Sequence, residues 1–371
     1  MKIGVMTGGG DTQALNATLY GILKRAKKKK HEVIGFKRGW QGVLDLDYVP
    51  LKDVDPTWGG TILKTSRKKL RGDEINQAAK NIASVVDSFI AIGGDDTLTV
   101  GKEISDKLVI PFCFITKTID NDVGVNMPRN KVDFSSMINY FTPGFPTAAS
   151  RIARYTGHLR TTAYSHERII FLESMGRKPG WLALASYKGN PDFILIPECE
   201  LNYEHFIEKL VQRYHEKGNA VVVVAEGIRY KGNKNPISED NTTIDDFGHK
   251  KLGGVAEILA KRVRSDTGIE NCKFNNPGYL YRSGRPKSYD IKYAKKLGRE
   301  AVDSILKGKH CRVAVLQRRK DKLYTSTMDI EDVLLTDENS IVIPRLVDPK
   351  FYDAENYMIS DLGREYFKVI R

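Results

Sequence analysis

The chain has 371 residues, with 59 Lys and Arg against 46 Asp and Glu, giving a formal charge of +13. That length exceeds one typical domain, so two domains or one large α/β unit is expected. An apolar share of 41%, with 9% aromatics, is enough for a packed core and excludes a disordered chain. Four scattered cysteines (Cys113, Cys199, Cys272, Cys311) contain no C-x-x-C pair. They argue against a zinc site or a disulfide framework and fit a reducing, cytoplasmic setting. The opening MKIGVMTGGGD does not read as a signal peptide, and no apolar run approaches bilayer length, so no membrane partner is expected. Nothing matches an RNP motif or a zinc finger, so no nucleic-acid partner is expected either.

In chain order, an apolar run, Lys2 to Thr7, meets Gly8-Gly9-Gly10 and then an amphipathic helix. Leu15, Leu19, Ile22, Leu23 and Ala26 share one face of that helix. The densest cationic run, Lys24 to Lys30, falls at its end, where lysines oppose the negative pole of the helix dipole. A second strand, Glu32 to Phe36, completes a β-α-β opening. The pattern recurs with Ser88 to Ile92, a helix from Asp96, and a strand from Val109 to Ile115. Further strands are expected at Arg168 to Leu172, Asp192 to Ile196, Ala220 to Val224 and Cys311 to Leu316, with a helix from Tyr289 to Leu306. Such alternation implies doubly wound, mostly parallel sheets. The weakest organisation is expected in the polar stretch 231–251 and beyond Asn339.

Three turns carry candidate chemistry. Gly8-Gly9-Gly10-Asp11 follows a strand and precedes a helix, a place where backbone approaches an anion, although a ligand-free βα turn fits the pattern equally. Gly93-Gly94-Asp95-Asp96-Thr97 adds paired carboxylates suited to Mg²⁺ on phosphate oxygens; the competing reading makes Asp95 or Asp96 a helix N-cap. Lys117-Thr118-Ile119-Asp120-Asn121-Asp122 offers a general base with an orienting partner, or simply an Asx-rich turn.

Read together with GGTILKTSR (Gly59 to Arg67), SHER (Ser165 to Arg168), ESMGRKPGWLAL (Glu173 to Leu184), AEG (Ala225 to Gly227) and PGYLYRSGRP (Pro277 to Pro286), these turns resemble the phosphofructokinase family. The resemblance runs in family order from residue 1 to about 335. It implies two α/β domains with the active site in the cleft between them. The larger would comprise 1–141 plus about 278–335, the smaller 142–277, and 336–371 would be a C-terminal extension. It implies Asp120 as catalytic base towards the 1-hydroxyl of fructose 6-phosphate, with Thr118 and Asp122 holding that arrangement. Asp95 would ligate Mg²⁺, and Arg67 and Arg177 would clamp the transferring phosphoryl group. Gly9 and Gly10 would lie on the donor side. Met175, Gly176 and Glu226 would line the sugar, while Arg168, Lys273, Tyr279 and Arg282 would take its 6-phosphate. Family positions matching Arg168 and Lys273 serve a neighbouring subunit, which implies a homodimer or homotetramer.

Two positions bear on the donor. ATP-using members typically have glycine where this chain has Asp96 and Lys117. A carboxylate at 96 fills the space of a nucleotide α-phosphate and repels it, and the Lys117 ammonium suits a compact donor. The pair resembles the pyrophosphate-dependent branch, and Tyr279, where ATP enzymes often have histidine, leans the same way. ATP as donor, or another acceptor such as sedoheptulose 7-phosphate, are the alternatives. The chain departs from the family at Gln13-Ala14, which replaces Pro-Gly, and in an insertion between Asp122 and Gly144. A long loop beside chemistry suggests an active-site cover or a specificity element; a tolerated surface insertion is the competing reading.

Overall fold

The computed structural model describes residues 1–244, 250–338 and 341–370, with 240–244 and 250–251 described by backbone alone. Of the stretches expected to be least organised, 245–249, Asn339, Ser340 and Arg371 lie outside the described residues. The chain divides into two units, Met1–Thr147 with Arg282–Arg345 and Ala148–Tyr281 with Leu346–Arg371.

The first unit is built on a seven-stranded sheet. Its spatial order is Lys322–Asp329, Arg312–Arg319, Phe112–Thr116, Ser88–Gly93, Lys2–Thr7, Glu32–Phe36, Tyr48–Pro50. The five inner strands run parallel and the two edge strands antiparallel. The inner strands are near-continuous apolar runs because helices cover both faces. Helices Leu15–Lys28 and Ser288–Leu306 cross where Gly21 and Gly298 remove side chains; a Cβ on Gly21 would lie 2.8 Å from the Lys295 Cα. Chain direction across the sheet reverses between Lys2–Thr7 and Ser88–Gly93, a switch point of the kind where doubly wound sheets bind ligands.

The second unit has an all-parallel sheet ordered Cys272–Asn275, Ile169–Ser174, Ala220–Ala225, Phe193–Leu195. Its helix Tyr203–Lys217 is capped by the Asn202 side chain and ends at Gly218 in the left-handed region, φ +70°. The aromatics of the last residues complete its core. Trp181 packs against Phe351 and Tyr366 with ring centroids 5.9 and 4.9 Å apart, and the Tyr352 hydroxyl donates to the Ile194 carbonyl at 2.6 Å.

Several differences from the sequence-based expectations have physical causes. The strand expected from Val109 begins at Phe112, since Pro111 has no N–H for a ladder and Val109 is fully exposed. Three edge strands, Tyr48–Pro50, Cys272–Asn275 and Lys322–Asp329, escaped notice because half-exposed strands carry no apolar run. The first boundary lies at 147/148 rather than 141/142. The buried Asp290 carboxylate ties Thr147 to the first unit, accepting from Gly144 N at 3.0 Å and from Thr147 Oγ1 at 2.6 Å. Residues 336–371 do not form one extension: the segment through Arg345 belongs to the first unit, and Leu346 onward packs into the second.

The insertion closes on itself at a neck where Val125 and Ile138 exchange backbone bonds at 3.0 Å each. Met127, Met137, Tyr140 and Phe141 are buried, and Tyr140 N donates to the Leu316 carbonyl of the sheet at 2.6 Å. Its tip, including Arg129 and Lys131, is exposed.

Tyr366 is fully buried beside Trp181. Tyr366→Ala should therefore lower unfolding stability by about 3–5 kcal/mol, as for other large core aromatics. Urea titration checks this, and a loss below about 1 kcal/mol would contradict a core role for the tail.

Candidate active site

In the first unit three strand ends lie side by side at the switch point. Register pairs Thr7 with Ile92 and Gly93 with Thr116, so the turns that follow each strand are neighbours. Gly8 N donates to the Ile92 carbonyl at 2.9 Å and Lys117 N to the Gly93 carbonyl at 2.8 Å. The segment ending in Arg67 lies on the first turn: Gly9 N donates to the Ser66 carbonyl at 3.1 Å, and Thr65 Oγ1 to the Gly9 carbonyl at 2.6 Å. Gly9 is left-handed, φ +74°, with the Lys117 Nζ 3.7 Å from where its Cβ would stand. The structure thus brings together Gly9, Gly10, Arg67, Asp95, Asp96, Lys117, Thr118, Asp120 and Asp122 at one end of one sheet.

The three turns differ in how they meet their helices. The first helix opens only at Leu15, so its N-terminal N–H groups do not follow directly on the glycines. The second helix opens at Asp95 with Gly94 in the cap position, so neither Asp95 nor Asp96 is the capping residue. Both carboxylates sit in the first turn, at the positive pole of the helix. The Asp96 carboxylate accepts from Lys69 Nζ at 2.9 Å. In the third turn the closing bonds come from neutral side chains. Thr118 Oγ1 accepts from Asp120 N at 3.0 Å, and Asn121 Oδ1 from Thr142 N at 3.2 Å.

Charge is concentrated here. Burial pushes the Asp122 carboxyl well above the usual carboxylate range, and the negative charges of Asp95 and Asp120 push it the same way. Its Oδ1 is sealed from solvent without a hydrogen-bond partner. Lys117 is buried and donates to the Gly10 carbonyl. Burial pushes its ammonium down to about 7; Arg282 adds to the fall, and Asp11, Asp122 and Asp120 oppose it. Arg282, grouped on sequence with the sugar phosphate, lies on the first glycine turn. Its Nε donates to the Asp11 carbonyl at 3.1 Å and pairs with the Asp11 carboxylate at 3.3 Å.

In the second unit, Met175, Gly176, Arg177 and Glu226 follow the paired strand ends Ser174 and Ala225. Gly176, φ +139°, donates from its N–H to Glu226 Oε1 at 3.3 Å, and Gly227 N donates to the Gly176 carbonyl at 3.2 Å. Arg168 and Lys273 sit at the opposite, N-terminal end of the same strands, where Ile169 pairs with Cys272. Six residues of strand separate the two groups, about 20 Å. Within one chain they do not converge on one ligand. Tyr279 is 74% exposed on the short helix Gly278–Tyr281.

Two buried or paired groups had no motif to mark them. Lys69 lies two residues beyond the matched GGTILKTSR segment, and only its pairing with Asp96 identifies it. Glu198 accepts from Gly180 N at 2.9 Å and from Val347 N at 2.8 Å, anchoring the end of the loop that carries Arg177. Its carboxyl is pushed up to about 7 by burial, against the pull of those N–H groups. No group of three or more His, Cys, Asp and Glu side chains among the described residues could hold a metal ion alone. A Mg²⁺ bound mainly through phosphate and water needs only one or two carboxylates. The unpartnered Asp122 Oδ1, facing the charge of Asp95, fits that requirement.

Residues 2–305 match the sequence pattern of one family, Phosphofructokinase. The pyrophosphate–fructose 6-phosphate 1-phosphotransferase of Dictyoglomus thermophilum is 38% identical over 83% of this chain and 87% of its own length. The enzyme of the same name from Thermoproteus tenax is 34% identical over 89% and 93%. An ATP-dependent 6-phosphofructokinase 3 from Streptomyces coelicolor is 33% identical over 96% and 99%. A crystal structure of a pyrophosphate-dependent phosphofructokinase from Marinobacter aquaeolei superposes with a TM-score of 0.83 at 22% identity, covering 100% of this chain and 91% of that one, and shares the fold.

The depressed Lys117 value has a thermodynamic consequence. Below pH 7 the group is charged in both the folded and unfolded states, and its burial penalty is fully present. From about 7 up to the ordinary 10.5 the unfolded chain holds a proton that the folded chain lacks, so stability rises with pH. Against Lys117→Met, the wild type should gain on the order of 1 kcal/mol per pH unit between pH 7 and 9 in urea unfolding. Parallel curves for the two proteins would rule out the buried neutral amine.

Proposed function

Because this chain belongs to the phosphofructokinase family of phosphotransferases, we propose that it transfers a phosphoryl group from pyrophosphate to the 1-hydroxyl of fructose 6-phosphate, releasing fructose 1,6-bisphosphate and orthophosphate. The carrying observation is the pair Asp96 and Lys117. The Asp96 carboxylate stands at the second residue of the helix after Gly94, tied to Lys69, where a nucleotide α-phosphate would meet negative charge. The Lys117 ammonium stands at the Gly10 carbonyl, ready to meet the terminal phosphate of a compact donor.

In this reading Asp120 accepts the proton of the sugar hydroxyl as its oxygen bonds to phosphorus and the bond to the departing orthophosphate breaks. Thr118 and Asp122 hold Asp120 in place, and Arg67 and Arg177 offset the charge spread over the transferring oxygens. Asp95 and Asp122 supply hard oxygen donors for Mg²⁺, which when bound neutralises donor phosphate oxygens. Ionising Asp122 releases a proton, and an anionic donor draws one onto Lys117, so cation and donor binding oppose each other in proton count. Met175, Gly176 and Glu226 line the sugar. Arg168 and Lys273, at the far strand ends, with Tyr279, bind the 6-phosphate held by a neighbouring subunit. Arg282, from its place on Asp11, is grouped with the donor side.

An ATP-dependent reading is favoured by one observation, the Streptomyces coelicolor relative that covers nearly all of this chain. Assays with fructose 6-phosphate and Mg²⁺ separate the two. Pyrophosphate should support turnover well above ATP, EDTA should abolish it, and bisphosphate plus orthophosphate should yield pyrophosphate. Turnover with ATP alone, without reverse formation of pyrophosphate, would refute the proposal. Asp96→Gly should shift the ratio towards ATP by about 10-fold or more, and an unchanged ratio would count against the steric and electrostatic role of that carboxylate.

A further inference from the structure

The turn bearing Asp120 and Asp122 is held from beneath by a residue from the C-terminal part of the chain. Arg345 is buried at 3% exposure and is the last residue of the first unit. Its guanidinium donates to the Asn121 carbonyl twice, from Nε at 3.0 Å and Nη2 at 2.7 Å. Nη1 donates to the Asn139 carbonyl at 2.6 Å. The backbone N–H of Arg345 donates to the Asp122 carbonyl at 2.6 Å. One residue thus fixes the peptide between the two aspartates and the peptide that follows it.

That fixation matters because the turn is intrinsically unfavourable. Asn121 and Asn139 are both left-handed, φ +58° and +56°, a region that asparagine enters more readily than other non-glycine residues but at a cost that surrounding bonds must offset. Asn139 is locked from its other side as well, its Nδ2 donating to Thr116 Oγ1 at 3.0 Å and to the Val123 carbonyl at 2.8 Å. The neighbouring Gly124 leaves room for the arginine: a Cβ there would come within 3.1 Å of Nη1. The base of the insertion and the aspartate turn are therefore two walls bridged by one guanidinium. Lysine, with donors on a single atom, cannot reproduce a fork that meets both carbonyls.

We propose that Arg345 is a positioning residue for phosphoryl transfer, setting through the Asn121 and Asp122 carbonyls the directions of Asp120 and Asp122, and that the insertion serves as the opposite wall of that clamp. The inference rests on Asp120 being the catalytic base. It extends the active machinery to a segment beyond the family match, which ends at residue 305.

Full-length Arg345→Gln and Arg345→Lys test this with whichever donor supports wild-type turnover, so the result does not depend on donor identity. Rates are expressed per folded molecule, with folding followed by circular dichroism. A misdirected base should lower kcat by about 100-fold in Arg345→Gln and about 10-fold in Arg345→Lys. KM for both substrates should stay within about threefold, and the acidic limb of the kcat–pH profile should move. A lower melting temperature with kcat within about twofold of wild type would overturn the proposal, as would a change confined to KM. Should Arg345→Gln not fold, Arg345→Lys, which keeps the charge and the stem, decides the question. Asp120→Asn, assayed alongside, separates the two levels. If it stays active, the base assignment fails; if it is inactive while the Arg345 variants are normal, only the positioning role fails.

Discussion

The carboxyl of Asp122 and the ammonium of Lys117, both taken out of water in the turn after strand Phe112–Thr116, are the constraint on which the first unit depends. Burial disfavours charge on both Asp122 and Lys117, moving their proton affinities in opposite directions and towards one another. Neither group could be tolerated there by a flexible surface loop. The strands Lys2–Thr7, Ser88–Gly93 and Phe112–Thr116 are buried from Ile3 onward, and their register brings the turns to one level. Core packing thus forces like charges together, the carboxylates of Asp95 and Asp120 beside that of Asp122.

The second unit solves a different problem with the same means. Buried carboxylates there organise backbone, as Asp290 does in the first unit. Glu173 accepts from Gly254 N at 3.0 Å and Ala256 N at 3.1 Å, satisfying the open end of helix Val255–Thr267. Glu198 does the same for Gly180 and Val347. Their surroundings distinguish them from Asp122 of the first unit. Donor N–H groups converge on Glu173 and Glu198, whereas Asp122 has a sealed, unpartnered oxygen facing other anions.

Legibility in the sequence followed burial. Inner strands were readable because burial on both faces demands uninterrupted apolar runs, and the helix Leu15–Lys28 because one face alone is apolar. Edge strands were not: Lys322–Asp329 carries polar residues over most of its length and is defined by its pairing with Arg312–Arg319. The final residues read only as a C-terminal extension because nothing local ties Phe351 and Tyr366 to Trp181, more than 150 residues earlier. Asp95 and Asp120 stood out in their glycine- and aspartate-rich turns, and Arg177 through the family resemblance. Lys69, Glu198 and Arg345 did not, since each acts through a partner distant in sequence.

By itself the sequence determined the α/β alternation, the family and the identity of the groups at each turn, because local periodicity and short motifs are properties of neighbouring residues. Only the tertiary structure decided which groups share an environment. It put Arg282 on the first glycine turn and set Arg168 and Lys273 at the strand ends remote from Glu226. It also gave Asp122 and Lys117 their displaced proton affinities and slid Arg345 beneath the aspartates. Desolvation and hydrogen bonding between distant segments have no signature along the chain, since both arise only when folding removes water from between them.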